Sequence, residues 1–222
     1  MTAIAILGGT GGLGTGLARR WAQAGYEVII GSRQIDKAQE AVADLQLVMG
    51  QRGVNQASVR AATNTDAADA GDIVVLTVPF AHHQSTLETV RAELQGKILV
   101  DVTVPLVPPK VARVQLPEQG SAGQMAQSLL GDDVRVVSAF QNAAAVHLQE
   151  DSGMECDILV CGNNKAARAE VIALVEAAGL KGLHAGSINN AAAVEALTSI
   201  LIFMNKQYGG HAGIKITGLQ SE

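Results

Sequence analysis

Short continuous apolar runs alternate along this chain with stretches in which apolar residues recur every three or four positions. Ala3-Ile4-Ala5-Ile6-Leu7 is such a run, as a parallel strand buried on both faces requires, and it ends in glycines. From Gly12 the period becomes helical, with Leu13, Leu17 and Trp21 four apart on one face, Arg19 and Arg20 expected to face water, and Gly25 as a stop. Tyr26 to Ile30 predicts a second strand, about Ile35 to Met49 a polar helix, and Val59 to Ala62 a weaker strand followed by a short helix from about Thr65. The strong strand Ile73 to Val78 is closed by Pro79. A helix from Ala81 to Leu94 then leads to a strand over Ile98 to Val102. The Pro-rich stretch from Pro105 to Pro117 predicts a loop able to cover a site. Val134 to Phe140 and Asp157 to Val160 read as further strands and Lys165 to Ala178 as a helix ending at Gly179. Ser187 is placed to cap a long apolar helix that runs to about Tyr208.

Strands alternating with crossover helices predict an α/β fold, a doubly wound and mainly parallel Rossmann sheet with a small helical C-terminal part. Residues 1–185 would form the main unit and residues 186–222 a helix and tail. With 222 residues, 48% of them hydrophobic, the chain can bury one substantial core but hardly two. A formal charge of -5 with scattered basic residues removes the counterion-release attraction on which nucleic-acid binding depends. The N-terminal residues lack a signal-peptide pattern, and no apolar run is expected to approach the roughly 18 to 20 residues that span a bilayer. A cytoplasmic protein without membrane contact is expected. Cys156 and Cys161, five apart in a strand-like segment, should point to opposite sheet faces as packed thiols, and no metal-ligand spacing occurs.

Candidate chemistry begins at Gly9-Thr10-Gly11-Gly12-Leu13-Gly14, which fits G-x-G-x-x-G. The string alone is weak, but here it follows a buried strand and opens a helix. The first glycine can make the tight turn, the second admits a pyrophosphate to the backbone, and the third lets helix and strand pack closely. Free N–H groups at the helix start then face a phosphate.

The end of the second strand distinguishes the dinucleotide. An NAD site usually carries Asp or Glu there to accept the ribose 2′-OH. This chain has Gly31-Ser32-Arg33, with Lys37 one helical turn on. No carboxylate repels a 2′-phosphate, and Ser32, Arg33 and Lys37 can all donate to one, so NADP is expected. The plainer reading is an ordinary solvated basic face.

Several segments taken together resemble a known family. They are Gly8 to Gly14, Gly31-Ser32-Arg33, Thr77-Val78-Pro79-Phe80-Ala81-His82, Val104-Pro105, Val194-Glu195-Ala196-Leu197-Thr198 and His211-Ala212-Gly213-Ile214-Lys215. In this order they are similar to the NADPH-dependent coenzyme F420 reductases, also called F420H2:NADP oxidoreductases. The resemblance implies a Rossmann domain with a small C-terminal part, a homodimer, and hydride exchange between NADP and the deazaflavin F420. It assigns Thr10 to Leu13 to the pyrophosphate and Ser32, Arg33 and Lys37 to the 2′-phosphate. Val78, Phe80, Val104, Pro105 and Ala145 are assigned to the nicotinamide and deazaflavin pocket. One departure is clear: where many members carry histidine after the strand ending at Phe140, this chain has Gln141-Asn142.

The residues read by themselves are compatible with that chemistry. No Ser-His-Asp motif, zinc motif or P-loop is present, so hydrolysis, metal catalysis and phosphoryl transfer lack support and no catalytic side chain is assigned. Hydride transfer between two ring carriers requires stacking and exclusion of water, which small apolar residues at strand ends provide. Val78-Pro79, Val104-Pro105 and Ala143-Ala144-Ala145 are such residues, although each alone reads equally as core. Gln141 and Asn142 can hydrogen-bond a ring carbonyl or N–H but cannot become cationic as histidine can. His82 and His83, beside Pro79, could touch nicotinamide or phosphate but read more readily as solvated or capping residues. His211 and Lys215 are placed either to meet an anionic substrate tail or to form a polar terminus. A flavin, ferric or imine reductase, or an NADP sensor without chemistry, are the alternative functions. Val194, Leu197, Leu201, Met204 and Tyr208 repeat at helical spacing while Ile200, Ile202 and Phe203 extend apolar character around the helix, which predicts a homodimer built on it.

Overall fold

The computed structural model describes residues 2–54, 57–150 and 155–219, so the last three residues of the expected C-terminal part lie outside the described residues. Its elements are β1 (Ala3–Leu7), α1 (Gly12–Gln23), β2 (Glu27–Ser32), α2 (Ile35–Gln51), β3 (Val59–Thr63), α3 (Asn64–Ala70), β4 (Ile73–Leu76), α4 (His83–Thr89), β5 (Ile98–Asp101), α5 (Ala122–Leu130), β6 (Arg135–Ser138), α6 (Ala145–Leu148), β7 (Asp157–Gly162), α7 (Lys165–Ala177), β8 (Lys181–His184) and α8 (Ala191–Tyr208). Short 3-10 turns precede α4 (Phe80–His82) and α8 (Ile188–Asn190).

One sheet runs β3-β2-β1-β4-β5-β6-β7-β8. The first six strands are parallel, β7 pairs antiparallel to β6, and β8 pairs parallel to β7. This is the doubly wound order, and its direction of winding reverses between β1 and β4. β1 and β4 are buried along their whole length, because helices cover both faces. Ile4, Ile6, Val28, Ile30 and Val75 point to one core layer with Trp21, and Ala5, Leu7, Ile29, Val74 and Leu76 to the other, as a two-residue period requires. Cys156 and Cys161 are free, buried and divided between those two layers, and desolvation raises both thiols, Cys161 to about 11.

Several local expectations are corrected. The helix after Pro79 stops at Thr89, and α5, α6 and β8 lay unannounced in stretches without strong periodicity. Ser187 precedes the 3-10 turn but its side chain makes no capping hydrogen bond. Ile188–Tyr208, 21 residues with mean hydropathy 1.2, is long and apolar enough to cross a membrane, contrary to expectation. Its docked side carries polar groups: Thr198 Oγ1 donates to Gln141 O and Ser199 Oγ to Arg113 O.

Arg19 and Arg20 do not face water. Arg19 is buried and its Nη2 donates to the carbonyls of Leu148, at 2.8 Å, and Glu150. Arg20 donates to the carbonyls of His147, Leu148, Glu150 and Ala178. α6 has only one turn, so its terminal carbonyls lack helical partners, and two guanidinium groups on α1 supply them. We expect Arg19→Leu to lower unfolding free energy in urea by roughly 1.5–3 kcal/mol, the scale of a charge-assisted hydrogen bond lost from a buried guanidinium, with Arg20 still donating to the same carbonyls. A loss below about 0.5 kcal/mol, typical of an exposed site, would contradict the clamp.

Candidate functional site

The reversal of winding opens a cleft of about 500 Å³ at the C-terminal ends of β1, β2 and β4. It is lined by Gly8, Thr10, Ser32, Arg33, Gln34, Lys37, Asn64, Val78, Pro79, His82 and Thr86. Six of the residues expected at a ligand site, Thr10, Ser32, Arg33, Lys37, Val78 and Pro79, are thus brought together from three separate segments.

The glycine loop shapes one wall. Gly8 has φ +67° and a Cβ there would lie 2.5 Å from Val78 Cγ1, so only glycine lets the chain leave β1 against the end of β4. A Cβ on Gly14 would lie 2.7 Å from Gly9 Cα, which packs the α1 start onto the turn, whereas a Cβ on Gly11 would meet nothing within 4 Å. Gly11 therefore borders open space. As N-cap of α1 it provides no side-chain hydrogen bond, so the helix start presents N–H groups and its positive end to an incoming anion.

The opposite wall is basic. Ser32 Oγ accepts from Gln34 N at 3.2 Å, which leaves its hydroxyl hydrogen free to donate outward. Arg33 and Lys37 are exposed and form no ion pair among the described residues. Asn64, unforeseen in the sequence, holds the loop from below by accepting Gly8 N–H through Oδ1 at 3.2 Å. A contiguous cavity of about 420 Å³ extends the basic end past Thr63, Thr65, Ser85, Thr86 and Thr89, a hydroxyl-rich surface suited to a sugar and its base edge.

The remaining expected residues lie at the ends of β4, β5 and β6. Phe80 is half-buried in the turn before α4, Val104 is half-exposed, and Pro105 is buried. Ala145 opens α6 and approaches the glycine loop, 3.8 Å from where a Cβ on Gly12 would stand. Leu13 is half-buried against the core layer beneath α1. Phe140, with φ +71°, sits in the left-handed region although it is bulky and buried. Its edge-on packing with Trp21, ring centroids 5.9 Å apart, holds it there and turns the chain sharply after β6.

Gln141 and Asn142 follow that turn and are buried. Gln141 Nε2 donates to Asp101 O and Ser138 Oγ, both at 2.8 Å, and Asn142 Nδ2 to Asp157 O and Cys156 Sγ, at 2.8 and 3.0 Å. Their side-chain oxygens have no hydrogen-bond partner. His83 is not a solvated or capping residue: it is buried with Nε2 2.7 Å from Asp101 Oδ2, while His82 is exposed on the cleft rim. His211 lies 5.2 Å from His147, edge to face, and Lys215 pairs with Glu155 at 3.7 Å, so the tail is folded back on the domain. Among the described residues no group of three His, Cys, Asp or Glu could hold a metal ion.

Comparison with known proteins is consistent across sequence and fold. Residues 3–105 match the family described as NADP oxidoreductase, coenzyme F420-dependent. An F420-dependent NADP reductase of Methanocaldococcus jannaschii is 40% identical over 223 residues, covering 98% of this chain and 99% of the relative. Its counterpart in Methanothermobacter thermautotrophicus is 38% identical over 226 residues, covering 99% and 96%. The crystal structure of a candidate F420-dependent NADP reductase from Arthrobacter sp. FB24 superposes with a TM-score of 0.79 at 29% identity, covering 97% of this chain and 99% of that one.

One buried acid shapes the same edge of the sheet. Glu195 of α8 is 1% exposed and accepts N–H groups from Ala122 and Gly123 at the start of α5, at 2.7 and 3.1 Å. Those bonds favour its charged form, but desolvation outweighs them and the nearby Asp101 adds to it, so its pKa is raised to about 8. The folded chain thus keeps a proton that the unfolded chain releases near 4.5. The resulting stability is complete below that value and is lost as pH rises toward about 8. We expect urea unfolding midpoints to fall between about pH 5 and pH 8, and Glu195→Gln, which cannot titrate, to flatten that decline. Parallel profiles for the two proteins would show that Glu195 does not carry it.

Proposed function

The chain belongs to the coenzyme F420-dependent NADP oxidoreductase family, and from that premise we propose that it transfers a hydride between NADP(H) and F420. The observation that carries this reading is the cleft itself, where an uncapped helix start faces two cations that have no ion-pair partner among the described residues, across an open glycine. At its edge Gly9, Thr10, Gly11, Gly12, Leu13 and Gly14 form the pyrophosphate turn, with Thr10 lining the cleft, and Ser32, Arg33 and Lys37 bind the 2′-phosphate. Val78, Pro79, Phe80, Val104, Pro105 and Ala145 enclose the stacked rings, and Gln141 and Asn142, whose unpartnered side-chain oxygens are buried, support that enclosure through the hydrogen bonds of their amide N–H groups. The two bound carriers supply the chemistry, one ring giving up hydrogen with its electron pair to the other. The protein orients them, excludes water, and needs no acid or base of its own for that step.

Residues 1–185 serve as the NADP-binding Rossmann domain, and the following helix and tail supply contacts to a second subunit. On α8, Val194 and Leu201 are buried, yet Ile200, Phe203, Met204 and Tyr208 are exposed, with Phe203 at 56%. Val107, Val114 and Leu116 of the Pro-rich loop, which meets α8 where Ser199 Oγ donates to Arg113 O, are exposed as well. A patch of this kind calls for a cover, and a second copy through α8 is the proposed one. The same cover accounts for the hydropathy of α8 in a cytoplasmic enzyme, whose partners are small molecules rather than nucleic acid or a bilayer.

Anaerobic mixing of NADPH with F420, and separately with FMN and FAD, tests the activity. F420 absorbance should bleach fastest. Bleaching of a flavin alone would shift the assignment to a flavin reductase, and no bleaching despite tight NADP binding would favour a sensor. Arg33→Ala should weaken NADP binding roughly 10- to 150-fold, for a charge-assisted hydrogen bond worth about 1.5–3 kcal/mol, and leave NAD nearly unchanged. Equal losses for both dinucleotides in calorimetry would exclude a 2′-phosphate contact. Light scattering at micromolar concentration should give twice 22.9 kDa, and Phe203→Asp should shift the mass toward the monomer. A monomeric parent protein would end the dimer proposal.

A further inference from the structure

The three segments proposed to enclose the rings leave different strand ends, and one buried residue joins them, two through its side chain and the third through its backbone oxygen. Asp101 is the last residue of β5 and is 1% exposed. Its Oδ1 accepts Thr103 N–H at 3.0 Å, immediately before Val104-Pro105. Its Oδ2 lies 2.7 Å from Nε2 of His83, also 1% exposed. His83 opens α4 directly after the turn carrying Phe80, and the two rings lie 6.1 Å apart, tilted by 33°. The backbone oxygen of Asp101 accepts from Gln141 Nε2 at 2.8 Å, at the head of the segment that leads to Ala145.

A buried histidine–carboxylate pair is a poor device for stability, since apolar residues of similar volume often serve as well. Directional bonds of fixed length instead set where attached segments sit, and here each of the three carries part of the ring enclosure. We infer that Asp101 and His83 are positioning residues of the hydride-transfer site, a buried node that holds Val78–Phe80, Val104-Pro105 and Gln141–Ala145 at the separation two stacked rings need. This rests on the proposed reading of the site. Neither residue hydrogen-bonds Ser32, Arg33 or Lys37 among the described residues, so the node acts at the ring end and not at the 2′-phosphate end.

The test uses Asp101→Asn, His83→Ala and His83→Gln in the full chain. Single-turnover hydride transfer from NADPH to F420 should slow roughly 10- to 100-fold in Asp101→Asn and His83→Ala, the scale of a misplacement of about 1 Å. NADP affinity by calorimetry should stay within about 2-fold, and His83→Gln, which keeps an N–H donor, should recover part of the rate. The double variant Asp101→Asn/His83→Ala should be no slower than the slower single variant, because both break one unit. Unchanged rates would overturn the inference. It would also fall if rate, NADP affinity and unfolding midpoint dropped together in every variant, or if none folded, because the pair would then be structural. A parent protein that transfers no hydride to F420 or a flavin would fail the functional reading itself and remove the inference with it, an outcome separable because it appears before any variant is compared.

Discussion

The close approach of the chain leaving β1 to the end of β4 is the constraint around which this molecule is organised. With winding reversed between these strands, a space necessarily opens beyond their C-terminal ends, and only a Cβ-free backbone can cross it. Gly8 does so against Val78, and Gly14 lets α1 sit on Gly9. Once α1 is seated, its N-terminus points into the opening and its other faces become scaffolding. Trp21 donates to Leu174 O at 2.8 Å and holds Phe140 in its left-handed conformation, while Arg19 and Arg20 seize the end of α6. The helix whose N-terminus borders the cleft thus also places Ala145, so both depend on one packing event.

Polarity is distributed unevenly along the sheet. The strand interiors are dry, but Asp101, Thr103, Ser121, Ser138, Gln141 and Glu195 are all buried near the C-terminal edge of β5 and β6. Most of their hydrogen bonds run between segments rather than within one: Glu195 joins α8 to α5, Thr198 joins α8 to Gln141, and Asp101 joins three loops. Such bonds add little net stability compared with apolar packing, but they fix direction. An edge built this way suits chemistry that depends on distance between two flat molecules rather than on a reactive side chain.

How much was legible in the sequence follows from whether a property is local. The strands β1, β2, β4 and β5 were readable because burial on both faces demands continuous apolar runs, and the phosphate turn because its glycines follow such a run and open a helix. The place of Ser32, Arg33 and Lys37 on the cleft wall was readable because they lie at fixed offsets at and just beyond the end of β2. α6 and β8 were not, since one turn of helix and a half-exposed edge strand carry too few apolar positions to show a period.

What only tertiary structure decided concerns polar residues whose partners lie far along the chain. Arg19 and Arg20 lie on a helix whose period suggests a solvated face, yet the carbonyls they satisfy are about 130 residues away. His83 and Asp101 lie 18 apart, one beside an exposed histidine and the other closing an apolar strand, with no spacing to announce that they touch. Periodicity records how each segment meets the core, because burial of apolar area is non-directional and needs no named partner. Hydrogen bonds are directional and pairwise, so these pairs became identifiable only when the fold brought both members of each together.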